Sequence, residues 1–158
     1  MGGWISQRLA IILGAGLLLL NGCGLEEPDE EEFTPLEGEV AEEAAMFVAA
    51  YKEDMVDAVN NHGIDELEDT YLIPNTSFYH ALRRYVEDLQ EDGAVKTLDS
   101  LDVSAVYEGE EEGDVFVDAT EHVQIEARGH LEEISRDVRY WLVQGSDDTF
   151  RLLTIIER

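Results

Sequence analysis

Apolar residues in this chain follow three different rhythms. From Leu9 to Leu20 they are continuous apart from Gly14 and Gly16. From Val40 to Val59 they recur every three or four residues. Val40, Ala44, Phe47, Val48, Tyr51, Met55, Val56 and Val59 share one helical face, and Glu42, Glu43, Glu53, Asp54 and Asp57 fill the other. Asn60-Asn61-His62-Gly63 supplies a helix stop, and a short helix over Ile64 to Asp69 is broken by Tyr71-Leu72-Ile73-Pro74. Asn75-Thr76-Ser77 offers caps for a helix over Phe78 to Glu91, whose stripe is Phe78, Leu82, Tyr85, Val86 and Leu89.

After Leu98 the period falls to two. Val115, Val117, Ala119, Val123, Ile125 and Ala127 lie on one face of a strand, with Asp114, Asp118, Thr120, His122, Gln124 and Glu126 on the other. Leu98–Tyr107, Ile134–Gln144 and Thr149–Glu157 read as its neighbours, joined by turns at Glu108–Gly113, near Gly129 and at Gly145–Asp148. Helices followed by antiparallel strands predict an α+β domain over 39–158, with N-terminal helices packed on a curved sheet of about four strands.

The continuous apolar run has a different meaning. Its 12 residues would rise only about 18 Å as a helix, short of the roughly 30 Å hydrocarbon core, so a permanent span fits poorly. Arg8 ahead of it and Leu20-Asn21-Gly22-Cys23 behind it form the layout of an export signal ending in a lipobox. Cys23, the only cysteine, then takes a diacylglycerol and acyl chains such as palmitate, and residues 1–22 are removed. Two rivals remain: a plain secretory signal with a chance cysteine, and N-myristoylation at the loose pattern Met1-Gly2-Gly3-Trp4-Ile5-Ser6. Residues 23–38 carry Glu26, Glu27, Asp29, Glu30, Glu31 and Glu32 with Pro28 and Pro35. That composition predicts an acidic, flexible tether.

Charge narrows the partners. With 37 acidic and 10 basic residues the net charge is −27, which leaves no basic footprint for nucleic acid. Such acidity suits either the solubility of an exported protein in a salty or alkaline environment or a lure for cationic peptides.

Several stretches carry a resemblance. Phe47-Val48-Ala49-Ala50-Tyr51 with Val56-Asp57-Ala58-Val59-Asn60, then Tyr71-Leu72-Ile73-Pro74-Asn75-Thr76-Ser77-Phe78-Tyr79, and finally Tyr140-Trp141-Leu142-Val143 with Phe150-Arg151-Leu152-Leu153-Thr154-Ile155-Ile156, resemble the nuclear transport factor-like cone fold. More narrowly they look like the C-terminal domain of TcaA-type envelope proteins of Gram-positive bacteria. The resemblance implies an extracytoplasmic role and supplies no catalytic residues. Those relatives hang from a transmembrane helix, which a lipid on Cys23 would replace here.

Candidate chemistry is sparse. Glu121 falls on the apolar face between Ala119 and Val123. There burial should raise its pKa and suit it to acid–base work, with Tyr140 as a second pocket residue; a bulge near Thr120 would instead turn it to solvent. His62, His80, His122 and His130 lack metal-ligand spacing, so no metal and no cofactor are expected. No nucleophile elbow or phosphate loop is present. The expectation is a cell-envelope lipoprotein on the outer face of the cytoplasmic membrane. Its domain binds an envelope protein or cell-wall ligand; the alternatives are a cone enzyme using Glu121 and a sponge for cationic peptides.

Overall fold

The computed structural model describes residues 25–158. The export signal and Cys23 lie outside the described residues. Strand β1 (Thr34–Pro35) is followed by helix α1 (Glu39–Asp57), a π-helical turn (Ala58–His62), α2 (Asp65–Tyr71) and α3 (Ser77–Glu91). Four long strands complete the chain: β2 (Val95–Glu108), β3 (Asp114–Ala127), β4 (His130–Gln144) and β5 (Phe150–Glu157). The five strands form one antiparallel meander in the order β1-β2-β3-β4-β5. The α+β class and the helix order are as expected. The sheet has five strands rather than about four, because two residues of the acidic segment pair with the end of β2, Thr34 opposite Glu108 and Pro35 opposite Tyr107.

The period-two pattern of β3 sets the two faces of the sheet. Its odd-numbered residues point to the helices and join Tyr140, Leu142 and Leu152 in the core. Each such fully buried aliphatic or aromatic side chain stabilises the fold by roughly 1.5–3 kcal/mol. From α1 the core receives Ala44, Val48, Tyr51 and Met55, and from α3 Phe78, Leu82, Val86 and Leu89. Val40, at the start of the predicted stripe, is exposed. Thr76 caps α3 by accepting a hydrogen bond from the Tyr79 N–H at 3.1 Å. Arg128 and Gly129, both at positive φ, make the two-residue turn between β3 and β4, the geometry that matches strand twist. Two bulges interrupt β2, between Leu98 and Ser100 and between Val103 and Ala105.

The outer face of the sheet carries the main departure from expectation. Residues 29–36 do not run free. Asp29 caps a short 3-10 turn (Glu30–Glu32) by accepting from the Glu31 N–H, and the Leu36 N–H donates to the Val106 carbonyl at 2.9 Å. Phe33 stacks on Phe116 with ring centroids 4.3 Å apart, and the Arg139 guanidinium lies 4.8 Å from the Phe33 ring. Arg139 is bound by Asp118 at 2.6 Å and by Glu30 at 2.7 Å, while Arg158 reaches Asp118 at 2.8 Å. Glu30 and Asp118 therefore satisfy two arginines, which is why Asp118 is buried on the face that alternation assigns to solvent.

Candidate functional site

The chain has two lysines, Lys52 and Lys96, and each is 1% exposed. Lysine is almost never fully buried without a partner, so both positions point to the interior of the domain. Lys52 belongs to the inner stripe of α1, four residues after Val48 and three before Met55. Lys96 opens the inner face of β2, opposite Ile125 of β3. Its backbone is clamped by the side-chain amide of Asn60, which accepts from the Lys96 N–H at 2.8 Å and donates to the Lys96 carbonyl at 2.7 Å. The π-helical turn that ends α1 thus fixes the start of β2.

Glu121 lies at the centre of this interior, with its side chain 1% exposed. The bulge that would have turned it to solvent is not at Thr120; Thr120, Glu121 and His122 pair in register with Asp137, Arg136 and Ser135 of β4. Lys52 Nζ is 2.9 Å from Glu121 Oε2, the Tyr140 hydroxyl donates to the same oxygen at 2.9 Å, and Arg136 Nε donates to Oε1. The structure thus brings together Glu121 and Tyr140, both named from the sequence. It adds Lys52, Arg136, Lys96 and Tyr85. The missed lysines had a geometric signal: Lys52 keeps the three- and four-residue spacing of the α1 stripe, and Lys96 precedes Leu98 by two on the inner face of β2.

The electrostatics reverse the expectation for Glu121. Burial pushes its carboxyl up, but the charges and hydrogen bonds of Lys52 and Arg136 outweigh burial and hold it at about 2. It is ionised at neutral pH and serves as counter-ion, not as a proton donor. Burial pulls Lys52 down to about 8, helped by the charge of Lys96 and opposed by Glu121. Lys96 is likewise pulled to about 8 by burial, with Glu121 opposing and Arg136 adding to the shift. Desolvation, with Glu121 nearby, raises the Tyr140 hydroxyl well above its usual value.

The four histidines stay apart from this cluster: His62, His80 and His130 are exposed and His122 is half-buried on the outer face. Among the described residues no group of three or more His, Cys, Asp or Glu side chains could hold a metal ion, and no helix is long and apolar enough to cross a membrane. A separate cavity of about 120 Å³ lies where α1 meets α2. Asp54, Asp57, His62, Glu66 and Tyr71 line it, and the Tyr71 hydroxyl donates to Asp54 at 2.5 Å.

A known family matches most of the residues that build this domain. The model of the TcaA protein NTF2-like domain matches residues 40–156. The chain belongs to the TcaA family through this domain. An uncharacterized protein of Alkalihalophilus pseudofirmus is 41% identical over 152 residues, covering 96% of this chain and 94% of that protein. The intermembrane space region of the chloroplast protein ARC6 superposes with a TM-score of 0.59 at 16% identity, covering 78% of this chain and 98% of that one. At that identity the likeness is one of fold. The beta subunit of benzoate 1,2-dioxygenase from Burkholderia mallei overlaps 84% of this chain and 91% of its own, with a TM-score of 0.45 and 10% identity. The TcaA-type domain here is therefore an NTF2-like fold whose interior is cationic, inside a chain of net charge −27.

Proposed function

We propose that this protein is a lipid-anchored member of the TcaA family on the outer face of the cytoplasmic membrane, and that its NTF2-like domain is a binding module rather than an enzyme. Family membership supports the envelope setting, and the lipobox at Cys23 supports the anchor. The observation that carries the binding role is the saturation of Glu121. Lys52, Arg136 and Tyr140 all contact its two oxygens, so it has no proton to give and is a poor base at a pKa of about 2. The envelope partner or cell-wall-derived ligand is met by a domain whose interior is prearranged and whose surface is acidic. A second reading, capture of cationic peptides, draws on the cavity lined by Asp54, Asp57 and Glu66.

Intact-mass analysis of protein extracted from native membranes tests the anchor. The expected mass begins at Cys23 and includes a diacylglycerol; a mass retaining Met1 to Gly22 overturns it. Crosslinking in those membranes tests the module, with envelope proteins or cell-wall fragments as the expected captures. Binding to cationic peptides that falls steeply with added salt would favour the second reading.

A further inference from the structure

Two cations of the inner face, Lys96 and Arg136, keep N–H groups that have no protein acceptor among the described residues. Lys96 carries three N–H groups, and its one hydrogen bond runs to the Tyr85 hydroxyl at 3.1 Å. No carboxylate among the described residues lies within salt-bridge distance of Lys96. The Tyr85 hydroxyl accepts from Lys96, and its own proton has no acceptor among the described residues. Arg136 spends Nε on Glu121 and leaves both Nη groups without a protein acceptor there. Lys52, Lys96 and Arg136 thus face one fully buried anion, Glu121, whose oxygens are already taken; the other carboxylate of this face, Glu132, is half-buried opposite Ile125 and makes no ion pair with Lys96 or Arg136. A buried ammonium without a counter-ion is costly.

The strand register locates these donors. Lys96 stands opposite Ile125 and Arg136 opposite Glu121, four residues apart along β3, or about 13 Å. The rung between them is Leu98–Val123–Ile134. Val123 is buried, whereas Leu98 and Ile134 are only partly covered. Arg136 itself is 17% exposed. An apolar floor with partial solvent access therefore lies between two cationic side chains, with Tyr85 reaching over from α3.

We propose that this rung is the floor of a binding site for a small oxyanion, a carboxylate or a phosphate, held by Lys96 Nζ, the Tyr85 hydroxyl and the Nη groups of Arg136. The proposal rests on the reading of the domain as a binding module and names the chemistry of its ligand. The oxyanion supplies the missing acceptors and balances the cationic excess, while its carbon skeleton or ester group lies on Leu98 and Ile134. Each contact is a charge-assisted or hydroxyl hydrogen bond.

Two lysines make the test direct, because lysine labelled at Nζ gives two side-chain NMR signals, assigned with Lys96→Met. The full-length domain is titrated with sodium acetate and with sodium phosphate against sodium chloride at matched ionic strength. The expected result is a saturable shift of the Lys96 signal with acetate or phosphate beyond the chloride control; which probe acts identifies the oxyanion. Tyr85→Phe, which keeps the ring in the core, should weaken binding about tenfold, the usual effect of one lost hydrogen bond to a charged partner. Arg136→Gln should weaken it more. A Lys96 signal that follows chloride alone in both titrations overturns the proposal and leaves the intact-mass and crosslinking results untouched. Equal affinity in Tyr85→Phe and Arg136→Gln would also overturn it.

Discussion

At the scale of single residues, Glu121 decides how the interior holds together. Replacing it with Gln preserves shape but leaves Lys52 and Arg136 without their counter-ion. The expected loss is about 3–5 kcal/mol, the range for breaking a buried pair, read from urea unfolding. Pairing Glu121→Gln with Lys52→Met should recover much of that loss, since an uncharged stem then fills the same space. The inward direction of Glu121 and Tyr140 was legible because strand alternation has a strict period. The state of Glu121 was not, because its partners come from α1 and β4, and sequence spacing says nothing about which cation crosses the sheet to meet it. The lysines escaped notice for a related reason. A search for apolar faces passes over Lys52, although its position on the helix is that of a core residue.

At the scale of elements, α1, α3 and β3 were legible from periodicity, while β1 was not. Two residues, one of them proline, carry no period, and the segment around them has the composition of a tether. What fixes it is long-range: Glu30 meets Arg139, separated by 109 positions in sequence, and Phe33 meets Phe116. Phe33→Ala should therefore release the segment as a unit. We expect a loss of about 1–2 kcal/mol from the stacked ring and the cation–π contact. Faster amide exchange should follow at Leu36, whose N–H bonds to Val106, while the buried rungs of β3 and β4 keep their protection. Unchanged exchange at Leu36 would show that β1 is held without the ring. With residues 29–36 docked, only six residues, 23–28, separate a lipid on Cys23 from the docked segment, a span of at most about 20 Å. A lipid on Cys23 would then hold the outer face of the sheet close to the bilayer.

At the scale of the whole molecule, buried cations and buried phenols set an unusual response to pH. Lys52 and Lys96 ionise at about 8 when folded against an ordinary value of 10.5. The unfolded chain therefore binds more protons than the folded one between those values, and stability should rise as pH increases through that window. Burial opposes ionisation of Tyr51, Tyr85 and Tyr140, all raised above the ordinary 10.0. Above pH about 10 the unfolded chain loses phenolic protons that the folded one keeps, so stability falls again. At the acid end, Glu121 drops from 4.5 to about 2 on folding, and its contribution is lost as pH falls through that interval. Urea midpoints should therefore rise above pH 8 and peak at about pH 10, above the common range of roughly 5 to 8. A maximum at neutral pH would show that the lysines are not desolvated as the structure places them.

The burial of both lysines also decides how this protein can be handled chemically. Amine-directed crosslinkers and labels find no lysine on the surface of the folded domain, since Lys52 and Lys96 are each 1% exposed. Neighbours caught by such reagents would exclude it even when they touch it. The abundant carboxylates, or the exposed thioether of Met46, are the groups through which its contacts can be captured, and a lysine that becomes reactive reports that the interior has opened.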